Sequence, residues 1–255
     1  MMQQPEAKTI SLAKIIVFIY GIISYVIFLA IFLYAISFLC NIIVPKSIDS
    51  SPEIPLVKAL LINVTLLGIF AVQHSLMARQ KFKTWWTKFI FEPMERSTYV
   101  LFSSLALLLL FWQWQPMGGI IWNINNLGGR IILLSLFGLG WVIVLISTFL
   151  INHFDLFGLR QVYLYLRGKD YTFLEFKTPG LYKYVRHPLY VGWFFAFWMT
   201  PRMTVAHLVF AIITTIYILI AIQLEEKDLI KIHGETYENY RREVPMLIPF
   251  LAQFK

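Results

Sequence analysis

The sequence predicts an all-α protein, a polytopic membrane bundle of helices forming one domain. Of 255 residues, 58% are hydrophobic and only 14% are charged, against roughly a quarter charged in a soluble domain. Apolar runs recur along the chain, each close to the roughly 20 residues needed to cross ~30 Å of hydrocarbon. None shows the period-two alternation of a membrane β-strand.

The first apolar run, Ile15 to Val44, is too long for the core of a signal peptide and lacks a small-x-small cleavage site. It supplies span one, Ile15 to about Ile43. Spans two to four are Ala59 to Met77, Thr98 to Trp114 and Ile131 to Ile151, and the last is Val205 to Leu224. Between spans two and three, "RQKFKTWWTKFIFEP" reads as interfacial, with lysines for head groups and Trp85 and Trp86 at the boundary. Leu189 to Met199 is apolar but too short to cross at ~1.5 Å per residue. It is either half of a tight hairpin with the last span, turning at Thr200-Pro201-Arg202, or a re-entrant piece. The segment after the last span continues as cytoplasmic helices, with breaks at Gly234 and Pro245.

With the N-terminus inside, 18 of the 22 Lys and Arg residues fall in 1–14, 79–96, 153–187 and 225–255. Only Lys46, Lys58, Arg130 and Arg202 remain outside. The positive-inside rule then puts both termini on the cytoplasmic side of the cell inner membrane. The net charge of +8 is spread over loops beside apolar segments. That suits anionic membrane lipid rather than nucleic acid. The single cysteine, Cys40, excludes disulfides within the chain and thiolate metal clusters. No H-E-x-x-H or Cys/His zinc pattern and no Gly-rich Rossmann turn occurs, so no metal is expected.

This topology gathers unusual polar residues on one side. Gln73 and His74 lie near the inner end of span two, and Arg96 precedes span three. Asn152, His153 and Asp155 follow span four; Arg186, His187 and Tyr190 open the short segment; Glu225 and Glu226 follow the last span. Polar groups collect at helix ends in general, but these are not the usual Lys, Arg and Trp anchors. In "YVRHPLYVGWFFAFW" (184–198), Pro188 suits a first helical turn. A helix beginning there offers its amides, the Arg186 fork and the His187 ring to a carboxylate or phosphate, or to lipid head groups. Glu225 and Glu226 have Leu229 and Ile230 four residues on, not cations. They suit a ligand bearing amino and hydroxyl groups. S-adenosylmethionine carries a carboxylate, an amine and a ribose, and would satisfy both clusters.

The pair "RHPLYVG" and "EEKDLIKIHGETYENYRREVPMLIP" resembles the signature of the membrane methyltransferases that include isoprenylcysteine carboxyl methyltransferase and the phospholipid methyltransferases. There the two elements enclose S-adenosylmethionine, which implies cofactor binding by Arg186, His187, Tyr190, Glu225 and Glu226. Leu229, Gly234, Tyr237, Tyr240, Val244, Pro245 and Pro249 also fall on the pattern, while His233 stands where relatives usually have Phe. "QHSLMARQKFKTWW" and "NHFDLFGLRQVYLYLRG" resemble the methanethiol S-methyltransferase branch, and the likeness covers nearly the whole chain. The NnrU-like membrane proteins are the nearest alternative group.

The resemblance implies one methyltransferase domain over 1–255, with substrate-side helices in 1–152 and the cofactor-binding part in 153–255. It implies methylation of methanethiol to dimethyl sulfide. Another small thiol, an isoprenylcysteine or lipid acceptor, and a non-catalytic membrane role stay open. A thiolate is the nucleophile, so a base is needed. His153 with Asp155 beside it, and His74, are the candidates; Arg96 would stabilise the thiolate, and Gln73 and Asn152 would contact the substrate. "GLG" at 138–140 matches a cofactor motif of phospholipid methyltransferases but also suits close helix packing inside span four.

Overall fold

The structure, a computed structural model, describes residues 11–249. The terminal positions used in the orientation argument, Lys8 and Lys255, lie outside the described residues. In chain order the helices are α1 (Leu12–Cys40), α2 (Leu56–Ala78), α3 (Gln80–Trp86), α4 (Glu95–Gln113), α5 (Leu127–Ile151), α6 (His153–Leu156), α7 (Leu159–Leu166), α8 (Pro188–Trp198), α9 (Val205–His233) and α10 (Glu235–Glu243). Five of them, α1, α2, α4, α5 and α9, are long and apolar enough to cross a membrane. They coincide with the five expected spans. The protein is an integral membrane helical bundle.

Local chemistry sets the ends. Asn126 Oδ1 accepts from Gly129 N at 2.7 Å to start α5, and Thr204 Oγ1 accepts from His207 N at 3.2 Å to start α9. Pro188 occupies the first turn of α8, as expected. α9 runs past Leu224 to His233, because no breaker interrupts it before Gly234, whose φ is +53°.

The all-α description needs one addition. Strands β1 (Ile120–Asn123) and β2 (Arg202–Thr204) pair antiparallel, with Ile120 opposite Thr204 and Asn123 opposite Arg202. Strands this short leave no periodicity to read in a sequence. Their pairing decides the path of the short apolar segment. β1 joins α4 to α5, so it marks one end of the bundle, and β2 follows α8 directly. The 11 residues of α8 cover about 16 Å, and the chain turns at Met199 to Pro201 before it pairs in β2. Pro201 O accepts from Ile124 N at 2.8 Å, and Thr200 O accepts from the Trp122 indole at 3.0 Å. The segment therefore traverses the bundle from the α10 end to the ribbon end instead of re-entering.

α8 turns back into α9 but packs chiefly on α5. The contact is a groove of small residues. A Cβ on Gly140 would lie 2.7 Å from both Gly192 O and Ala196 N, and one on Gly192 would lie 2.7 Å from Gly140 O. Close backbone approach of this kind holds helices together where apolar burial supplies no drive. Gly140 thus serves packing, and Gly138 has open space at its Cβ. We expect Gly140→Val to cost at least the ~1–3 kcal/mol of an overpacked core, because its neighbours are backbone atoms. Gly138→Val should melt within a degree or two of the parent. Thermal unfolding of both variants in detergent checks this.

Candidate functional site

The two sequence clusters meet each other. At the start of α8, Arg186 Nε donates to Glu226 Oε1 at 2.8 Å, and His187 Nε2 lies 3.1 Å from the same oxygen. Arg241 Nε stands 3.4 Å from Glu226 Oε2. Arg186 Nη1 also donates to the carbonyls of Arg241 and Val244. The backbone amides of Arg186 and His187 donate to Pro245 O and Met246 O. Arg186, His187 and Glu226 are all buried. A buried carboxylate requires such partners.

This geometry corrects two expectations. Glu226 is paired through tertiary contacts, although no cation follows it at helical spacing. Arg186 is committed to Glu226, so it does not stand free as a fork for a ligand anion. Glu225 differs from its neighbour: its side chain is 46% exposed, it accepts from the Tyr190 hydroxyl at 3.0 Å, and it faces a cavity whose wall Glu226 does not reach.

That cavity, of about 1030 Å³, runs through the bundle from Leu39 and Leu110 to Tyr237 and Tyr240 of α10. His187, Tyr190 and Glu225 form one polar wall, with Arg186 behind them. Tyr182, Tyr240 and His233 extend it. The Tyr240 hydroxyl donates to Tyr182 O at 2.6 Å, and burial pushes its phenol up to about 12, so it stays a neutral donor. His233, the departure from the family pattern, packs its ring 5.0 Å from that of Phe176.

The opposite wall carries the histidines. His153 follows Asn152, the C-cap of α5, and its ring stacks on Phe149 at 4.2 Å. Its Nδ1 lies 2.8 Å from Thr148 Oγ1 and its Nε2 lies 2.8 Å from the Tyr25 hydroxyl. Thr148 donates its one proton to Leu145 O at 2.7 Å. Toward the ring it can then only accept, which puts the imidazole hydrogen on Nδ1 and the lone pair on Nε2. Burial holds the His153 pKa below the usual imidazole value. The ring is therefore neutral at physiological pH.

Asp155 is not placed to orient this ring. Arg160 Nη1 donates to it at 2.9 Å and Tyr171 OH at 3.3 Å. Asn152 lines the cavity and caps α6 by accepting from Asp155 N at 3.1 Å. His74 is held between Tyr99 OH at 2.8 Å from Nε2 and Ser103 Oγ at 3.1 Å from Nδ1. Arg96 lies on the same wall, its guanidinium 5.0 Å from the Tyr99 ring centre and its Nε donating to Leu156 O. Gln73 is off the cavity, donating to Met77 Sδ and Ser103 Oγ. It supports the shelf beneath His74 instead of facing a substrate. Sequence reasoning missed Tyr25, Thr148, Tyr99 and Ser103, which supply the bonds that orient both rings. Nothing in one sequence distinguishes a Tyr or Ser inside a span from ordinary packing.

A model of the isoprenylcysteine carboxyl methyltransferase family matches residues 174–231, the segment holding Arg186 to Glu226. The fold and this match define the class, an integral membrane methyltransferase whose site is built from helices. The chain is 67% identical over 253 residues to a methanethiol S-methyltransferase of Crocosphaera subtropica, covering 99% of each chain. It is 52% identical to methanethiol S-methyltransferase 1 of Bradyrhizobium diazoefficiens, over 96% of this chain and 86% of that one. It is 55% identical to the methanethiol S-methyltransferase of Mycobacterium tuberculosis, over 91% and 95% respectively. The chain belongs to the methanethiol S-methyltransferase family. No solved structure matches it.

The geometry separates the paired glutamates. Glu226→Gln leaves Arg186 buried without its counter-ion and should cost about 3–5 kcal/mol, read as a lower melting temperature. Glu225→Gln should keep the parent melting temperature while weakening binding of S-adenosylhomocysteine about tenfold or more, or ~1.4 kcal/mol, by calorimetry.

Proposed function

We propose that the protein methylates methanethiol to dimethyl sulfide with S-adenosylmethionine as donor. What carries this reading is the juxtaposition, in one cavity, of an acidic wall at Glu225 and a neutral imidazole with its lone pair at Nε2 of His153. The residues present fit the donor. Glu225 keeps acceptor capacity beyond its single bond from Tyr190, which suits amino or ribose hydroxyl groups. The aromatic surfaces of Tyr182, Tyr240 and His233 suit an adenine. Arg186 and Glu226 hold that wall in register from behind. When bound, the sulfonium supplies an electrophilic methyl group and needs no metal.

The chain's own part is to produce and aim a thiolate. His153 Nε2 accepts the thiol proton when the incoming S–H takes the place of the Tyr25 hydroxyl. Thr148 keeps the ring in the tautomer that makes Nε2 the base. The cationic Arg96 guanidinium stabilises the developing thiolate. The apolar walls exclude water and hold sulfur in line with the bond that breaks. His74 is the second candidate base, bracketed by Tyr99 and Ser103. The 18 to 4 distribution of basic residues supports an inner-membrane location with the cavity mouth in the cytoplasm.

His153→Ala should lower dimethyl sulfide formation about 100-fold or more while keeping affinity for S-adenosylhomocysteine, with partial recovery at raised pH as free methanethiolate becomes available. Near-parental turnover at neutral pH would move the base to His74. Since burial depresses the His153 pKa, the wild-type protein should keep its neutral base, and its kcat/KM, to below pH ~6.5. An acid limb above that value would oppose the assignment. Ser51→Cys in a Cys40→Ala background should react with an impermeant maleimide from the periplasmic side of cells; labelling only in inverted vesicles would reverse the topology.

A further inference from the structure

The hydrogen bonds around His74 leave one hydrogen over. The Tyr99 hydroxyl lies 2.8 Å from Nε2 of the ring and 3.1 Å from Nδ1, and Ser103 Oγ lies 3.1 Å from Nδ1. Neither hydroxyl has another acceptor among the described residues. The remaining contact of the cluster, from Gln73 Nε2 to Ser103 Oγ at 3.4 Å, brings a donor. A neutral imidazole offers one lone pair to the two hydroxyl hydrogens, and an imidazolium offers none. At least one O–H therefore has no acceptor within the cluster. Tyr99 and Ser103 are both buried and both line the cavity, so the spare hydrogen is available to whatever the cavity holds.

The His153 cluster has no such surplus. Thr148 gives its proton to Leu145 O, and the Tyr25 hydroxyl alone supplies the ring lone pair. Two histidines with two hydroxyls each thus differ in kind. One ring is set up to accept, and the other carries a donor in front of it.

The surroundings select Tyr99 as that donor. The Arg96 guanidinium stands 5.0 Å from its ring centre, so the phenol meets the cavity beside a permanent positive charge. A phenol is also far more acidic than a serine hydroxyl. Offered an anion, it is the group that turns to it, leaving the ring lone pair to Ser103. Phe70 stacks on His74 at 5.2 Å and meets Tyr217 edge-on at 6.3 Å, which sets the cluster against α9, the helix that carries Glu225. On the other flank Phe28 and Phe157, stacked at 4.0 Å, pack against Met77, Tyr99 and Val100. The Phe157 ring lies 4.8 Å from that of His153. Tyr99 stands between the helix of the acidic wall and the base.

We propose that Tyr99 is a catalytic residue whose hydroxyl donates to the acceptor sulfur, and that His74, with Ser103 behind it, is the positioning residue that aims the phenol. This rests on the methyl-transfer reading above. His153 takes the thiol proton, while Tyr99 keeps its own and gives only a hydrogen bond. The charge on sulfur is then held between the Tyr99 hydroxyl and the Arg96 guanidinium, a charge-assisted arrangement. The direction of the bond turns a sulfur lone pair toward the methyl carbon. The sulfur bonds to that carbon as its bond to the donor sulfur breaks, and the donor sulfur keeps the electron pair. His74 serves the phenol instead of taking a proton.

The test measures dimethyl sulfide formation by the parent chain, Tyr99→Phe and His74→Gln at neutral and at raised pH. Tyr99→Phe should lower kcat/KM for methanethiol about 10- to 100-fold with the parent's affinity for S-adenosylhomocysteine by calorimetry. The deficit should persist at raised pH, because free methanethiolate does not replace a hydrogen bond to the bound sulfur. His74→Gln should lose about two- to tenfold, again without recovery, and it decides the matter if Tyr99→Phe does not fold. Turnover equal to the parent's in either variant would overturn the proposal. Recovery at raised pH would also overturn it, by placing the cluster in proton removal, and a matching loss of S-adenosylhomocysteine affinity would overturn it by making Tyr99 structural. Absence of dimethyl sulfide from the parent chain would instead overturn the methyl-transfer reading.

Discussion

The buried carboxylate of Glu226 is the constraint on which the working end of the protein depends. It receives Arg186 and His187 from the start of α8 and Arg241 from α10. Arg186 in turn holds the carbonyls of Arg241 and Val244, and the amides of Arg186 and His187 hold the strap at Pro245 and Met246. One oxygen pair thus ties three segments distant in sequence. A charge buried this deeply is costly alone and favourable only as a satisfied network. The network therefore makes the relative position of α8, α9 and α10 nearly all-or-none. Tyr190, one helical turn from Arg186 and His187, and Glu225, next to Glu226, inherit their placement from it.

The two walls of the cavity use opposite electrostatics. Around Glu226 the polar groups are charged and mutually compensated. The direct partners of His153 are neutral hydroxyls, and burial holds the ring neutral.

The architecture was legible because hydrocarbon thickness imposes itself on sequence: the five spans, the helix start at Pro188 and the stop at Gly234 all lie where apolar length and backbone chemistry put them. The cluster of site residues was legible for a related reason, since His, Asn, Asp and Glu at helix ends are exceptions to a membrane composition. Their pairings were not. Spacing along α9 makes Glu226 look unpaired, because the cations that meet it arrive from α8 and α10. Spacing likewise brings Asp155 beside His153, yet the turn of α6 delivers it to Arg160 and Tyr171. Local sequence reports local neighbours, and this site is made of remote ones.

The short α8 has a consequence for how the chain is made. Eleven residues are too few for a translocon to recognise as a span in their own right. The segment's main packing surface is the glycine groove on α5, so it gains its place only once α5 is already in the bilayer. Biogenesis therefore has an order. The α1 to α5 portion can insert helix by helix as it is synthesised, whereas α8 enters with α9 as a unit delivered onto a finished template. A lesion at the Gly140–Gly192 contact would then register as a failure of late membrane assembly, visible as a protease-sensitive C-terminal third in an otherwise inserted protein.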